Sequence, residues 1–181
     1  MTETMIETDR LILRRPLERD FEAWAAFMAD ETASRFIGGP QLRSIAWRGM
    51  ATMAGSWALR GYGMFSVIER ATGQWIGRIG PWYPEGWPGF EVGWGLVRTA
   101  WGKGYASEAA IAAINWAFET LRQPEIIHCI DLENKASIAL AQRLGATFRG
   151  LAHMPAPFDS EAIGIWGQSA EDWQKHDFTR R

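Results

Sequence analysis

Apolar residues recur along the first third of the chain with two different periods. Leu11 and Leu13 alternate with other side chains over Arg10–Arg14, which predicts a short β-strand. After Pro16 the apolar spacing changes to three and four residues, which predicts an amphipathic helix. Its apolar stripe consists of Leu17, Phe21, Trp24, Ala25 and Met28. A second helix is predicted over Ile45–Leu59, where apolar residues again recur at helical spacing: Trp47, Met50, Met53 or Ala54, and Trp57.

Extended segments and tight turns alternate in the middle of the chain. Three strands are predicted there, over Met64–Glu69, Trp75–Gly80 and Phe90–Val97. Gly73 supplies the turn of a hairpin between the first two of them. Pro81–Gly89 is predicted to be a loop that is rich in proline and aromatic residues. Gly93 and Gly95 indicate either a β-bulge in the third strand or a ligand lying close to its backbone.

The clearest helix of the chain is predicted over Tyr105–Arg122, where nearly all of the surface is apolar. Its polar residues share one narrow stripe that we expect to face solvent: Glu108, Asn115, Glu119 and Arg122. Pro124 ends this helix. The remaining predicted elements are a strand over Ile126–Leu132, a helix over Lys135–Leu144 that Gly145 ends, and strands over Thr147–Leu151 and Ile163–Gln168. The order β-α-α-β-β-β-α-β-α-β-β predicts a mixed sheet with helices on its faces.

The composition is that of an ordinary globular protein, and it argues against several classes of function. The 181 residues are 47% hydrophobic and 22% charged, so we expect a single domain over residues 1–181. A net charge of -2 gives no reason to expect binding to nucleic acid. Acidic residues close to Met1, with no long apolar run after them, predict neither a signal peptide nor a membrane span. A single cysteine excludes an intramolecular disulfide and is typical of a cytoplasmic protein.

A glycine-containing turn, Trp101–Ala106, joins the strand Phe90–Val97 to the alanine-rich helix. Gly102 and Gly104 allow a tight bend in which a ligand can approach the backbone. The free N–H groups and the dipole of the following helix favour an anion such as phosphate or pyrophosphate at this point. The glycine spacing matches neither a Walker A loop nor a Rossmann fingerprint. Taken alone, the turn is equally compatible with a purely structural role.

Two further motifs follow in the second half of the chain. They are Asn134-Lys-Ala-Ser137 and Leu144-Gly-Ala-Thr-Phe-Arg-Gly150. Together with the strand Glu91–Val97 and the turn Trp101–Ala106, they make the chain resemble the GNAT superfamily of acyl-CoA-dependent N-acetyltransferases. The resemblance covers nearly the whole length of the chain.

Within that superfamily the chain is similar to the branch that contains the ribosomal-protein N-terminal acetyltransferases. Gly104 and Ala106 match the pyrophosphate motif Gln/Arg-x-x-Gly-x-Gly/Ala, and Trp101 replaces its first residue, as is familiar in that branch. The similarity extends to Thr8–Arg14, Thr72–Gly77 and Trp166–Trp173. It implies a protein or peptide α-amine as the acceptor. A small amine, such as a polyamine, an amino acid or an antibiotic, is the alternative.

The resemblance also implies a fold and a set of contacts. The implied fold is α/β (α+β), with a largely antiparallel sheet of six to seven strands, splayed at the cofactor site and covered by helices on both faces. The implied co-substrate is acetyl-CoA, bound by the splayed strand and the glycine turn through Leu96, Val97, Gly102, Lys103, Gly104, Ala106 and Ser107. Asn134 is implied to contact the pantetheine, although it is equally well placed to be the N-cap of the next helix. Ser137 faces the same way one turn later.

Direct attack of a neutral amine on a thioester needs a proton acceptor and a donor to the developing oxyanion. Glu91 is the candidate general base, with a structural or substrate-binding carboxylate as the alternative. A backbone N–H near Val92–Trp94, in a bulged strand, is the expected oxyanion donor. Ala141 stands where many members of the superfamily have a tyrosine acid, so Ser137 or water is left to serve the thiolate. This departure leaves a catalytically silent acyl-CoA-binding module as an alternative function.

Other candidate chemistry is excluded by position. His128 and Cys129 are neighbours in a predicted strand and point to opposite faces, so they cannot form a nucleophilic dyad. Cys129 is expected to be a small buried apolar residue. The three histidines have no metal-ligand spacing, and no metal is expected.

We expect the acceptor to contact the first two helices and the aromatic segment Trp82–Trp87. The many tryptophans are compatible with either a monomer or a homodimer.

Overall fold

Eight strands form one sheet in the order β1-β2-β3-β4-β5-β6-β8-β7. The structure is a computed structural model that describes residues 4–156, 158 and 162–176. The strands are β1 (Met5–Glu7), β2 (Leu11–Arg14), β3 (Phe65–Glu69), β4 (Trp75–Trp82), β5 (Glu91–Leu96), β6 (Glu125–Ile130), β7 (Thr147–His153) and β8 (Ala162–Ser169). Neighbouring strands are antiparallel except for the parallel pair β5 and β6. The predicted mixed sheet is confirmed. The count of six to seven strands is wrong because β1, at three residues, is too short to give a periodic signal.

Helices cover the sheet, and their bounds within the described residues are α1 (Phe21–Ala29), α2 (Glu31–Ser34), α3 (Arg43–Arg60), α4 (Tyr105–Glu119), α5 (Lys135–Arg143) and α6 (Ala170–Lys175). The sequence did not predict α2 or α6, because neither is long enough to show an apolar period. Side-chain caps begin both of them: Asp30 accepts the N–H groups of Thr32 and Ala33, and Ser169 and Asp172 form a capping box. None of the helices in the described part of the chain is long and apolar enough to cross a membrane.

The two faces of the sheet are covered by different helices. Leu11 and Leu13 are fully buried in a cluster with α4, while Ile12 between them packs against the cluster of α1 and α3. Since neighbouring residues of a strand point to opposite faces, α4 lies on one face and α1 with α3 on the other. The alanines of α4 are completely buried and bring that helix close to the sheet: Ala109, Ala110, Ala113 and Ala117. The prediction of helices on both faces is confirmed.

Three details of the helix predictions are wrong. Trp47, expected on the apolar stripe of α3, is 53% exposed, because Ala46 and Met50 provide the contacts with α1 instead. The long helix ends at Glu119, so Arg122 lies beyond it, with a φ of 55°. The polar stripe does not simply face solvent, since Asn115 accepts a hydrogen bond from Trp173 Nε1 at 2.7 Å.

Candidate active site

The sheet opens between β5 and β6. β5 pairs with β4 along its whole length, from Glu91 opposite Trp82 to Leu96 opposite Gly77. It pairs with β6 only where Glu91 lies beside Ile127. The strands then separate, which confirms the predicted splay. The register between β4 and β5 is continuous, so the alternative of a β-bulge in β5 is wrong. Side chains pack closely over both glycines of this strand, since a Cβ atom would lie 2.8 Å from Met64 Cε at Gly93 and 3.0 Å from Phe27 Cζ at Gly95.

Backbone groups of β5 point into this gap. The Val97 N–H donates to the carbonyl oxygen of Ile76, beside β5, at 2.9 Å. Because the direction of backbone groups alternates along a strand, the N–H groups of Trp94 and Leu96 point away from β4 and toward the gap. They lie beyond the single pairing with β6, so no strand is there to accept them. This edge can therefore pair with an extended ligand.

Hydrogen bonds from two indole groups connect the elements that border the gap. Trp101 Nε1 donates to the Leu96 carbonyl at 2.8 Å and so ties the glycine turn to the end of β5. Trp94 Nε1 donates to Ser137 Oγ at 3.1 Å, which joins β5 to α5 across the gap. The first contact gives Trp101 a structural role at the position where the pyrophosphate motif usually has glutamine or arginine.

The glycine turn presents open backbone donors. Gly102 and Gly104 have φ values of 73° and 79°, in the left-handed region that favours glycine. Gly104 is the N-cap of α4 and offers no side chain to its first turn. The N–H groups of Tyr105, Ala106 and Ser107 are therefore left for another acceptor, as at helix N-termini that bind anions.

Arg10 fixes this turn from the other end of the chain. Its Nη1 donates to the Lys103 carbonyl at 2.9 Å, and its Nε donates to Glu108 Oε2 at 2.7 Å. Thr8 Oγ1 donates to the second oxygen of Glu108 at 2.6 Å. Glu108 therefore anchors the start of α4 rather than facing solvent, which corrects its predicted place on the exposed stripe. Lys103 is exposed beside the turn, with Nζ 6.0 Å from the ring centre of Tyr105.

The start of α5 lies on the opposite side of the gap. Asn134 Oδ1 accepts the Ser137 N–H at 3.1 Å, so Asn134 is the N-cap of this helix. The structural alternative considered for Asn134 is thereby confirmed, and both residues also line the cavity described next. Ala141, two turns into the helix, is completely buried. Its side chain belongs to the core and not to the cavity.

A cavity of about 580 Å³ lies where the gap meets the face of the sheet that α1 and α3 cover. Aromatic side chains form part of its walls beside charged and polar ones, and they include Phe36, Trp82, Trp87 and Phe158. Trp82 and Trp87 belong to the aromatic segment expected to contact the acceptor. Of the two helices predicted from the first third of the chain, only the second, α3, lines the cavity, through Met53. The volume is within the range typical of small-molecule sites.

Glu91 lies in this cavity and is only 7% exposed. Trp87 Nε1 donates to its Oε2 at 2.6 Å, and the Cys129 N–H donates to its Oε1 at 3.3 Å. Burial raises the pKa of Glu91 to about 7, although both hydrogen bonds oppose that change. A carboxylate with this pKa can accept a proton near neutral pH.

His128 and Cys129 lie in different environments, as expected for neighbours in a strand whose side chains point to opposite faces. His128 Nδ1 lies 2.7 Å from the Val92 carbonyl, so the ring carries its proton there and Nε2 is the bare nitrogen. Burial lowers the pKa of His128 to about 4 and keeps the ring neutral. Cys129 is half-buried and lines the cavity, so the expectation of a buried apolar residue is wrong. Burial and the neighbouring Glu91 hold the pKa of its thiol far above the ordinary value, which makes it a poor nucleophile.

Sequence reasoning missed Arg78 and the buried nitrogen of His128. Both side chains line the cavity, and each carries a buried nitrogen that has no hydrogen-bond partner among the described residues: Arg78 Nε and His128 Nε2. The one available signal was a charged residue inside the otherwise apolar strand Trp75–Gly80. In the described part of the chain, no group of three or more His, Cys, Asp or Glu side chains is placed to hold a metal ion.

Comparison with protein families and curated proteins gives one consistent match. The family model of the acetyltransferase (GNAT) domain matches residues 10–147. The chain is 30% identical over 147 residues to the uncharacterized N-acetyltransferase p20 of Bacillus licheniformis, covering 80% of this chain and 83% of that protein. It is 36% identical over 90 residues to YkkB, an uncharacterized protein of Bacillus subtilis. That match covers 48% of this chain and spans only 52% of YkkB.

Solved structures show the same fold. An acetyltransferase from Agrobacterium tumefaciens superposes with a TM-score of 0.82 at 33% identity, covering 93% of this chain and 95% of that one. RimL, a ribosomal α-N-protein acetyltransferase in complex with coenzyme A, superposes with a TM-score of 0.76. At 16% identity, with 93% of this chain and 99% of that one covered, RimL supports the fold alone.

Proposed function

Because this chain belongs to the GNAT family of acetyltransferases, we propose that it transfers the acetyl group of acetyl-CoA to a primary amine by direct attack. Enzyme, acetyl-CoA and amine form a ternary complex in this reaction. The observation that carries the proposal is the junction of the gap with the cavity, since Glu91 lies there with a pKa near 7. A thioester in the gap and an amine in the cavity meet beside that carboxylate.

The gap and the glycine turn form the proposed donor site. The pantetheine extends along β5, where the N–H of Leu96 points toward it. The contribution of Val97 is limited to its side chain, since its N–H is bonded to Ile76. The pyrophosphate binds the backbone donors of the glycine turn, and Lys103 adds positive charge. This part of the site comprises Gly102, Lys103, Gly104, Ala106 and Ser107.

Asn134 and Ser137 complete the donor site from the side of α5. The Asn134 carboxamide caps the helix through its oxygen, and its NH2 group is available to a pantetheine carbonyl. Ser137 Oγ accepts from Trp94 Nε1, so the hydroxyl hydrogen is available to another acceptor. We place that hydrogen toward the sulfur, where it stabilises the departing thiolate in the absence of a tyrosine at Ala141.

The chemistry proceeds through a single transfer. The lone pair of the neutral amine attacks the thioester carbonyl carbon, and Glu91 takes the proton that the nitrogen loses as the C–N bond forms, directly or through water. The backbone N–H of Trp94, facing the gap, donates to the oxygen as negative charge develops. The C–S bond then breaks, and coenzyme A leaves as a thiolate beside Ser137. Cys129 takes no covalent part, since its thiol stays protonated.

Two acceptor classes have support. A protein or peptide N-terminal α-amine is favoured by the branch resemblance, and the aromatic walls of the cavity suit the side chain of a first residue. A small amine is favoured by the volume of about 580 Å³, which is typical of sites for small molecules. Both acceptors would present the same reacting nitrogen to Glu91.

Turnover tests the proposal. Purified protein is incubated with acetyl-CoA and with pooled peptides or pooled small amines, and the release of coenzyme A thiol is measured. We expect acceptor-dependent release with a matching quantity of N-acetylated product from at least one pool. Thiol release that never exceeds hydrolysis, together with tight binding of coenzyme A, would instead support a catalytically silent acyl-CoA-binding module.

A further inference from the structure

Arg78 of β4 is a buried cation that forms no ion pair with the residues that the structure describes. Arg78 is 9% exposed, and its Nε has no hydrogen-bond partner among the described residues. Its Nη1 contacts Met64 Sδ, and its guanidinium lies 5.6 Å from the ring centre of Trp24. Neither neighbour carries a charge. Burial lowers the pKa of Arg78 only to about 10, so the group remains cationic at neutral pH.

The acidic neighbour of Arg78 is Glu91, and the two do not form an ion pair. Each influences the pKa of the other, yet none of the ion pairs within 4 Å among the described residues joins them. An isolated buried charge is costly, so proteins normally pair it or use it to bind an anion. The space between these groups therefore suits a ligand that carries an amine for Glu91 and an anion for Arg78.

The floor between the two groups is kept open by a glycine. Gly93 lies two residues from Glu91 on the same face of β5 and lines the same cavity. A Cβ atom at this position would lie 2.8 Å from Met64 Cε and 3.2 Å from Glu91 Oε1. Any larger residue at position 93 would thus intrude between the contact partner of Arg78 and the carboxylate.

We propose that the acceptor carries a carboxylate a few bonds from its reacting amine, and that Arg78 binds this carboxylate while Glu91 receives the amine. The inference rests on the proposed function and names the chemistry of its acceptor. A guanidinium presents several N–H donors to a carboxylate and is well suited to this contact. The carboxylate has two possible sources, namely the α-carboxylate of a free amino acid or an acidic side chain near the N-terminus of a peptide.

Paired acceptors test the proposal and separate the two sources. One pair compares free amino acids with their amides, and the other compares peptides that begin with Asp or Glu with the same peptides bearing Asn or Gln. For the wild-type protein we expect kcat/KM to favour the carboxylate member of one pair by roughly 10- to 100-fold, the effect of a hydrogen bond to a charged group. Equal kcat/KM values within both pairs would overturn the proposal while leaving acetyl transfer itself intact.

Variants assign the preference to Arg78. Arg78→Met should abolish the preference by lowering kcat/KM for the carboxylate acceptors far more than for their neutral partners, whereas Arg78→Lys should retain part of the preference. If Arg78 merely adjusted the pKa of Glu91, both members of each pair would change equally, and that result would refute the carboxylate contact. Arg43→Met is the matched control, because Arg43 is an exposed cation that pairs with Glu22 and does not line the cavity. It should leave the preference unchanged.

A binding measurement keeps the proposal testable if no amine is acetylated. Calorimetric titration of the same amino acids and peptides into protein saturated with coenzyme A should give a carboxylate-dependent affinity that Arg78→Lys reduces. Lack of turnover contradicts the proposed function alone. Affinities that do not differ between carboxylate and amide, or that Arg78→Lys leaves unchanged, contradict the role of Arg78. The Arg78→Lys variant serves here because it retains the buried positive charge if Arg78→Met fails to fold.

Discussion

Replacing Glu91 by glutamine removes the proposed base while keeping the shape of the side chain. Glutamine cannot take a proton from the amine, so we expect kcat/KM to fall by about 10²- to 10⁴-fold at pH 8. The fraction of ionised Glu91, and with it this group's contribution to the wild-type rate, should fall tenfold per pH unit below the pKa of about 7. The acceptor amine also titrates, but the ratio of wild-type to variant rates cancels its contribution. That ratio should decline below pH 7 and level off above it.

The same substitution has a predictable effect on the free energy of unfolding. The pKa of Glu91 is about 7 in the folded state because the group is buried, and near its ordinary value of 4.5 when unfolded. Between these values the folded protein binds more protons at Glu91, so the stability that this carboxyl contributes is full below pH 4.5 and is lost as the pH rises to about 7. The Glu91→Gln variant does not lose stability in this way, because glutamine does not titrate. The stability of Glu91→Gln relative to wild type should thus increase by roughly 2 to 3 kcal/mol between pH 5 and pH 8.

Urea unfolding of both proteins at pH 5 and pH 8 measures this difference. Any stability lost through changed hydrogen bonds to Trp87 and Cys129 is the same at both pH values, so it cancels when the two pH values are compared. The titration of His128 also cancels, because it is common to both proteins. A relative stability that stays constant within about 1 kcal/mol would refute the raised pKa. A ratio of rates that does not change with pH would refute the role of Glu91 as the base.

Three other substitutions test separate parts of the site. Trp87→Phe removes a hydrogen bond that lowers the Glu91 pKa, so the acid limb of the pH–rate profile should move to higher pH; an unchanged limb would contradict the contact. Gly104→Leu should weaken coenzyme A binding in calorimetry by at least tenfold, whereas Gly61→Leu, which imposes a similar φ of 75° away from the site, should not. If both variants bind equally, the turn does not hold the pyrophosphate. Ser137→Ala should lower kcat by roughly tenfold with little change in the affinity for coenzyme A, and an unchanged kcat would exclude Ser137 from the thiolate step.

Local sequence patterns were sufficient for the elements that hold the proposed donor site. The uninterrupted apolar surface of α4 and the glycines before it predicted a buried helix with an open N-terminus, because both features depend on neighbouring residues. The hairpin around Gly73 was predictable for the same reason. Trp47 shows the limit of such patterns, since helical spacing does not reveal which of several apolar residues will meet another helix.

The charged groups of the cavity could not be predicted because their environment is assembled from distant segments. Arg78 is a buried cation only because β3, β5 and α1 enclose it. The raised pKa of Glu91 depends on its burial beneath Trp87 and β6, and this burial cannot be read from a single sequence. Arg10 contacts Glu108 across 98 positions of the chain, so its hold on the glycine turn becomes visible only in the folded protein.

A crystal structure with bound coenzyme A would locate the donor relative to Glu91 and so decide whether acetyl transfer takes place at this site. We expect the pyrophosphate to accept hydrogen bonds from backbone N–H groups between Gly102 and Ser107. We also expect the pantetheine to follow β5 and to place its sulfur beside Ser137, at the mouth of the cavity. A pyrophosphate bound elsewhere, or a sulfur outside the gap between β5 and β6, would contradict the proposed site of acetyl transfer.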